Sequence, residues 1–182
     1  VWHRHLAGEN TGWKPVPHGR STEWIAAAVA VLCYANVLPN DFCHDDDPIV
    51  RFNEQVSEPG HCLTIWTTDY WSRARDESPN RDLLYRPIAV TSYRLIRVLL
   101  GPHPFPQHLL NVLLHALVAA LVLRLCRRLE LANPACLAAG VLFAVLPIHT
   151  EVVAGVVGRA DILATLGVLV AILSHRRSLL AT

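Results

Sequence analysis

The stretch that decides the fold is residues 107–125, QHLLNVLLHALVAALVLRL, in which apolar side chains occupy almost every position. A helix needs about 20 predominantly apolar residues to cross the hydrocarbon core of a bilayer. A soluble amphipathic helix would instead confine its apolar residues to one face. This stretch therefore predicts a membrane-spanning helix.

Three further apolar runs lie on either side of this stretch. Residues 24–38 precede it, residues 134–147 follow it, and residues 162–173 form the core of a last run that can extend back through 152–158. The composition agrees, since 52% of the 182 residues are hydrophobic and only 17% are charged. We expect an all-α membrane protein with about four transmembrane helices. A soluble helical bundle is the alternative.

The basic residues predict how these spans are oriented. They cluster before the first run, after the second and after the fourth, at Lys14, Arg20, Arg124, Arg127, Arg128, His175, Arg176 and Arg177. Four alternating spans place the three clusters on one side, which the positive-inside rule makes cytoplasmic. The large loop after the first run and the turn containing His149 and Glu151 then share the extracytoplasmic side.

That loop begins with an acidic segment, DFCHDDDPIVRFN, at residues 41–53. Adjacent carboxylates repel one another, so they need solvent, a cation or a hydrogen-bond donor. Asp47 before Pro48 is typical of an N-cap followed by the first residue of a helix. Asp45 and Asp46 are not needed as that cap, and they are the chemical candidates, as a general base or as ligands of a divalent cation.

Polar residues also interrupt the central run. His108, Asn111 and His115 fall on one helical stripe because they are three and seven positions apart. Polar groups in a span are costly unless they face the bundle interior or a cavity. The stripe either makes hydrogen bonds between helices or lines a substrate cavity.

Two interpretations are open for PIHTE at 147–151 and GRAD at 158–161. In one, Thr150 or Glu151 caps the next helix and Arg159 pairs with Asp161. In the other, ionic side chains face the same outer cavity as the acidic loop, namely Arg86, Arg94, His149, Glu151 and Arg159. Arginine forks suit phosphate oxygens. Carboxylates opposite arginines at a membrane surface favour a substrate that is a phosphate-bearing lipid.

Other classes of protein are not favoured. The formal net charge of +1 provides no basic field for nucleic acid. The sequence has no GxGxxG, phosphate-binding loop, zinc signature or serine elbow. Five cysteines do not form an even disulfide framework, although Cys43 and Cys62 could pair on the extracytoplasmic side.

Several longer segments carry a family resemblance. They are FCHDDDPIVRFN at 42–53, TDYW at 68–71, YRPIAVTSYRL at 85–95, HLLNVLLH at 108–115 and VLFAVLPIHTEVVAGVVGRADIL at 141–163. In this order they resemble the transmembrane and tetratricopeptide-repeat O-mannosyltransferases, the TMTC family, and their bacterial relatives. The resemblance covers residues 34–177.

The resemblance implies a membrane glycosyltransferase of the GT-C fold with a polyprenyl-phosphate sugar donor and a protein or glycan acceptor. The family's paired aspartates fall on Asp45 and Asp46, and its downstream asparagine falls on Asn53. An inverting transfer would use Asp45 or Asp46 as general base or metal ligand, with Arg86 and Arg159 stabilising the departing lipid phosphate.

The same resemblance implies a domain organisation. Residues 21–177 would be the N-terminal part of the glycosyltransferase module, preceded by an unstructured segment, 1–20, and followed by a tail, 178–182. We expect a multi-pass protein of the inner membrane if bacterial, or of the endoplasmic reticulum if eukaryotic. The alternative is a non-catalytic truncated membrane module or a membrane anchor that binds a partner.

Overall fold

A computed structural model of the chain describes residues 22–58, 60–71 and 84–175. These ranges contain helices and loops and no β-strand. The α-helices are α1 Glu23–Tyr34, α2 Glu54–Ser57, α3 Pro87–Leu100, α4 Pro104–Arg128, α5 Asn133–Val145, α6 Thr150–Ala154 and α7 Arg159–Ser174. Short 3₁₀ or π turns occupy Ala35–Val37, Asp47–Arg51, Thr64–Trp66, Pro147–His149 and Val156–Gly158.

The apolar runs form the helices that could cross a membrane. Pro104–Arg128, with 25 residues, and Val156–Ser174, with 19 residues, are long and apolar enough by themselves. Asn133–Val145 and Pro147–Ala154 would make a third span if the pair, bent by 45°, counts as one. The first apolar helix, Glu23–Val37, is shorter. The expected all-α membrane fold is confirmed, but among the described residues two helices, or three with the bent pair, meet the length for a span instead of the expected four. The first helix is short because Pro39 and Asn40 end the apolar run.

The apolar helices alternate in direction. Arg127 near the end of α4 contacts Glu23 at the start of α1, so these two helices are antiparallel. α5 is antiparallel to α4, since His115 bonds to the carbonyl of Ala144 near the end of α5. α7 runs parallel to α4, because Arg159 at its start donates to the carbonyl of Gln107.

One end of the bundle, the loop end, therefore carries the acidic segment, the turn at His149 and the beginning of α7. The opposite end, the basic end, carries Arg127 and Arg128. This arrangement agrees with the alternation expected from the charges. Lys14, Arg20, Arg176 and Arg177 lie outside the described residues, and the assignment of the basic end to the cytoplasm remains a prediction.

Small residues bring α1, α4 and α5 close together. Ala26 and Ala30 of α1 are fully buried against Ala119 and Leu123 of α4. A Cβ added at Gly140 of α5 would lie 3.0 Å from the Leu123 Cβ and 3.2 Å from the Ala26 Cβ. Membrane helices without a hydrophobic driving force between them associate through such close packing.

Arginines join the helices at the basic end. Arg127 donates to the side chains of Glu23 and Thr22. Arg128 donates to the carbonyl of Ile172 at 2.9 Å and to that of Leu173. These two bonds from Arg128 satisfy carbonyl groups that the last turn of α7 would leave without a hydrogen-bond donor.

The loop residues fold into a small core of their own at the loop end. Ile49, Val56, Ile65 and Tyr70 are buried there against one face of α3 and against Val156. The turn Val156–Gly158 thus joins this core to α7. A Cβ at Gly158 would lie 2.2 Å from the carbonyl oxygen of Val152, so only glycine fits where the chain enters α7.

Candidate functional site

Asp46 anchors the acidic loop to the start of α7. Its carboxylate is completely buried, and its Oδ1 accepts a hydrogen bond of 2.9 Å from the backbone N–H of Val157. Its Oδ2 accepts a bond of 3.4 Å from the backbone N–H of Cys43. Charge-assisted bonds of this kind stabilise a buried carboxylate. Asp46 therefore has a structural role in addition to any chemical one.

The predicted cap at Asp47 is wrong. The helical turn begins with Asp47 itself, and Asp46 occupies the preceding position without a side-chain cap bond. The Asp47 carboxylate pairs instead with Arg51, four residues on, at 3.4 Å. Asp46 makes no cap bond because its carboxylate accepts the N–H groups of Val157 and Cys43, and the contact with Val157 is one that no local rule contains.

The Tyr70 phenol lies within electrostatic range of Arg86, Asp46 and Asp45. Burial raises the pKa of this phenol, and the positive charge of Arg86 opposes that shift. The carboxylates of Asp46 and Asp45 raise the same pKa further. Asp45 is exposed, whereas Asp46 is buried. The acidic loop thus carries one exposed carboxylate and one buried carboxylate.

Arg86 is the predicted phosphate ligand that stays accessible. Its side chain is 34% exposed, and its Nη2 lies 4.0 Å from the carboxylate of Asp161. Its guanidinium carbon lies 5.5 Å from the centre of the Tyr70 ring. An ion pair of this length is weak, so the guanidinium fork remains available to an anion.

Arg159 lies inside the protein. It is fully buried, and its Nε donates to Asn111 Oδ1 at 2.7 Å. Its Nη2 donates to the carbonyl of Gln107 at 2.8 Å, and its Nη1 donates to Ser92 Oγ at 3.2 Å. The guanidinium also lies 4.9 Å from the centre of the Tyr93 ring. All three nitrogens of this arginine therefore join α3, α4 and α7.

Neither interpretation of Arg159 from the sequence is correct. It does not pair with Asp161, which faces Arg86 instead. It is not exposed to a cavity where a phosphate could reach it, because burial and three hydrogen bonds occupy its fork. Its role is structural.

The stripe on α4 faces protein, as predicted. His108 and Asn111 are fully buried and His115 is 3% exposed. Asn111 Nδ2 donates to the carbonyl of Gly155 at 2.8 Å, and His115 Nε2 lies 3.3 Å from the carbonyl oxygen of Ala144. The interpretation as interhelical hydrogen bonds holds for Asn111 and His115.

A cavity of about 160 Å³ lies between α4, α5, α6 and α7. Its lining comprises His115, Val118, Phe143, His149, Val152, Asp161, Ile162 and Thr165. The rings of His115 and His149 are 5.2 Å apart, and Phe143 packs on His149 at 4.4 Å. His115 and His149 line this cavity, whereas His108 and Asn111 do not. That the cavity receives a substrate stays a prediction.

Arg94 and Glu151 are placed differently from the expected outer cavity. Arg94 Nη1 donates to the carbonyls of Gln55 at 2.6 Å and Glu58 at 2.7 Å, which ties α3 to α2. Glu151 is exposed on the first turn of α6. That helix begins at Thr150 after His149, so neither Thr150 nor Glu151 is its cap.

Asn53, the asparagine that follows the acidic motif, is the cap of α2. Its Oδ1 accepts a 2.8 Å bond from the backbone N–H of Gln55, and its side chain is 1% exposed. Its position after the acidic motif has a structural role here, because this cap starts the helix that Arg94 contacts.

The acidic pair does not by itself form a cation site. Within the described ranges, no three histidine, cysteine, aspartate or glutamate side chains are placed to hold a metal ion. Both oxygens of Asp46 already accept protein hydrogen bonds, and Asp45 alone is a single ligand. The divalent cation remains a prediction that these residues do not support.

The predicted bridge between Cys43 and Cys62 is not formed, since both are free and exposed. Burial raises the pKa of the Cys43 thiol, and the nearby charge of Asp46 raises it further. The backbone of Cys43 is instead held by the bond to Asp46.

Several residues of the site are absent from the sequence-based candidates. They are Tyr70, Ser92, Tyr93, Gln107 and Asp161. Gln107 could have been found, because it lies four residues before Asn111 and extends the polar stripe by one turn. Tyr70 and Tyr93 gave no such signal, since single aromatic residues are common both in protein cores and at membrane interfaces.

The helices and their buried polar network define an all-helical membrane protein whose loop end bears the candidate site. No family model matches the chain, and no solved structure matches it significantly. Curated relatives do match. The chain is 40% identical over 167 residues to the protein O-mannosyl-transferase TMTC1 of Mus musculus, which covers 90% of this chain and 17% of that protein.

Two further relatives agree. Identity is 37% over 155 residues with the protein O-mannosyl-transferase tmtc2 of Xenopus laevis, covering 85% of this chain and 18% of that protein. Identity is 35% over 165 residues with the protein O-mannosyl-transferase TMTC4 of Homo sapiens, covering 83% of this chain and 22% of that protein. Over this segment the chain matches the TMTC family of proteins, whose members are named protein O-mannosyl-transferases. It spans about a fifth of the length of these relatives.

Proposed function

We propose that this chain is the acidic-loop portion of a membrane glycosyltransferase. The complete protein would move a sugar, as O-mannosyltransferases do, from a polyprenyl-phosphate donor to a hydroxyl group of a protein or glycan at the extracytoplasmic face. The exposed carboxylate of Asp45 and the accessible guanidinium of Arg86, both at the loop end of the bundle, carry this proposal, because they provide a candidate base and a cation. The names of the relatives support the sugar class.

The two aspartates take different roles in this proposal. Asp45 is exposed and can reach an acceptor hydroxyl, so it is the general base that removes the proton as the new glycosidic bond forms. Asp46 is buried and holds the loop on Val157, so it is a positioning residue. A base that is fixed in place in this way avoids the entropic cost of ordering it during the reaction.

Arg86 stabilises the leaving group. The bond between the sugar and the phosphate breaks, and negative charge develops on the departing lipid phosphate. A guanidinium fork that is accessible and only loosely paired can accept that charge. Arg159 contributes indirectly, because it holds together the three helices on which the site is built.

The cavity beside Asp161 gives the donor a place to enter. Its walls include the side chains of Val118, Phe143, Val152 and Ile162, which suit an apolar ligand. His115 and His149 supply polar atoms at one wall. A lipid donor combines these requirements, since its chain is apolar and its phosphate would lie toward Arg86.

We predict that Arg86→Gln in the complete protein lowers kcat for transfer by roughly 100- to 1,000-fold, as the loss of a positioned charge at a developing anion does. Membranes carrying the protein are assayed with a polyprenyl-phosphate mannose and a peptide acceptor. Arg51→Gln is the matched control, because Arg51 is exposed on the same loop and pairs only with Asp47 at 3.4 Å.

An equal effect of the two substitutions, or none at Arg86, would contradict the role of Arg86. Absence of transfer by the wild-type protein from any polyprenyl-phosphate sugar would overturn the proposed function itself. Both variants are compared at equal abundance in the membrane, so that a loss of protein is not counted as a loss of chemistry.

A further inference from the structure

Helix α3 carries an apolar face that the rest of the described protein does not cover. Ile88, Leu95, Val98 and Leu99 are between 55% and 69% exposed. At about 100° per residue, Ile88, Leu95 and Leu99 fall almost on one line along the helix, and Val98 lies beside them. Four large aliphatic side chains on one face of a helix form a contiguous patch of the kind that marks an interaction surface.

The remaining faces of α3 are already occupied. Ala89, Val90 and Tyr93 are buried in the small core of the loop segment. Arg94 donates to the carbonyls of α2, and Arg97 Nη1 donates to the carbonyl of Arg51 at 3.2 Å. Both arginines therefore point toward the polar loop segment. Ile88, Leu95 and Leu99 lie on the side of the helix opposite Arg97, and Val98 lies at the edge of that face, next to Arg94.

Contacts with the bundle place α3 at the loop end, where two spans begin. Gln107 Nε2, in the first turn of α4, donates to the carbonyl of Tyr93 at 3.0 Å. The Tyr93 hydroxyl donates to the carbonyl of Val157 at 3.1 Å, just before α7. Gly101, with a φ of +90°, then turns the chain from α3 into α4. α3 thus lies at the depth of the boundary between the apolar spans and the polar loop.

We propose that α3 lies in the interface of the bilayer, with Ile88, Leu95, Val98 and Leu99 inserted among the lipids and with Arg94 and Arg97 on the polar side. Its 14 residues are too few to cross the hydrocarbon core and include two arginines at these positions. A helix with an apolar face and basic residues above it takes up this position, about 5–10 Å into the headgroup boundary.

The bilayer is favoured as the occupant because exposed apolar residues continue from the patch onto the start of α4, which is long and apolar enough to cross a membrane. Phe105, 50% exposed, opens α4 only a few residues after Leu99. Exposed aromatic residues lie at the same end, since Tyr85 and Trp66 are both more than half exposed and the Tyr85 hydroxyl donates to the Trp66 carbonyl at 2.7 Å. Tyrosine and tryptophan are enriched where a membrane meets water.

This position would have a consequence for the acidic loop. The loop segment packs on the buried face of α3 through Val56 and Ile65. Insertion of the opposite face would therefore hold Asp45 and Asp46 at a set height above the lipid headgroups. The inference does not depend on the sugar transfer and would hold for a non-catalytic protein.

Site-directed spin labelling of the complete protein in phosphatidylcholine vesicles tests this inference. All native cysteines of the complete protein are replaced, and single cysteines are introduced by Leu95→Cys and by Leu99→Cys. Collisions of the nitroxide with oxygen, which partitions into lipid, are compared with collisions with a water-soluble nickel chelate. Glu58→Cys serves as the exposed aqueous reference, and Val168→Cys, 59% exposed on α7, serves as the lipid reference.

We expect the labels at Leu95 and Leu99 to favour oxygen, as the label at Val168 does. Nickel access equal to that at Glu58 would place the face in water and overturn the inference. Protection from both reagents would also overturn it, because another protein segment would then cover the face.

A second measurement avoids the cysteine replacements. A benzophenone amino acid at Leu99 in the otherwise native chain is irradiated in the same vesicles. Adducts with lipid support the interfacial position, and adducts with protein overturn it.

Discussion

Asp45→Asn in the complete protein is expected to reduce sugar transfer by about 100- to 10,000-fold, the usual effect of removing a positioned general base. The amide that replaces the carboxylate cannot take a proton from the acceptor hydroxyl. The fold should be unaffected, because Asp45 is exposed and only its backbone carbonyl is used, as acceptor from the N–H of Ile49. The rate is measured with a polyprenyl-phosphate mannose and a peptide acceptor.

The neighbouring aspartates are the controls for this prediction. Asp47→Asn should retain near wild-type transfer, since Asp47 makes only a surface pair with Arg51. Asp46→Asn should reduce transfer for a different reason. One of its carboxylate oxygens becomes an NH₂ group, which cannot accept the N–H of Val157 or Cys43. The loss of a buried acceptor costs about 1–3 kcal/mol.

Amide hydrogen exchange distinguishes the structural role of Asp46 from the chemical role of Asp45. Exchange at the Val157 amide should accelerate in Asp46→Asn and remain unchanged in Asp45→Asn. Unchanged transfer by Asp45→Asn would remove Asp45 from the chemistry. Loss of transfer in Asp46→Asn with an unchanged Val157 amide would assign the base to Asp46 instead. A chelator added to the wild-type protein tests the predicted cation, because only a metal-dependent reaction loses activity.

Arg159→Met is expected to have the largest effect on stability, a decrease in the free energy of unfolding of about 2–5 kcal/mol. The substitution leaves Asn111 Oδ1 and the carbonyl of Gln107 without their donor in the protein interior. It also removes the positive charge of Arg159, which interacts with the negative charge of the buried Asp46 carboxylate. Methionine is similar in length to arginine, so the loss of stability comes mainly from the lost hydrogen bonds and charge rather than from lost packing.

Thermal or denaturant unfolding of the purified protein in detergent measures this effect. Arg51→Met is the matched control, and it should change the stability by less than about 0.5 kcal/mol because Arg51 is a surface residue. Arg159→Lys should have an intermediate effect, since it retains the charge and loses the fork that three acceptors require. Equal stability of Arg159→Met and the wild-type protein would show that this network does not hold the helices together.

Several features of the fold could be predicted because they depend on local composition. The apolarity of residues 107–125 is sufficient for a spanning helix, since every backbone hydrogen bond in such a segment is satisfied within the helix itself. Alternation of the spans predicted that the basic clusters share one end, and Arg127 and Arg128 lie near the end of α7 at that end of the bundle. That this end is cytoplasmic stays a prediction. The offsets of His108, Asn111 and His115 predicted one face, and all three are buried.

The candidate site could be predicted only in part. Its residue types came from the resemblance of the acidic loop and the segment around Arg159 to one family, and relatives with 35% to 40% identity confirm that family. The role of each site residue could not be predicted from its type, because an arginine in such a motif can either bind a ligand or join helices. Arg86 and Arg159 are chemically identical, and only their burial distinguishes them.

The sequence by itself determined the helices, their order and their buried stripe, because these depend on residues within a few turns of one another. Only the tertiary structure decided which aspartate is free. The bond between Asp46 and Val157 joins residues that are 111 positions apart, and it leaves Asp45 exposed to an acceptor. A contact of this range depends on how four helices pack, and packing is a property of the whole surface of each helix rather than of its pattern.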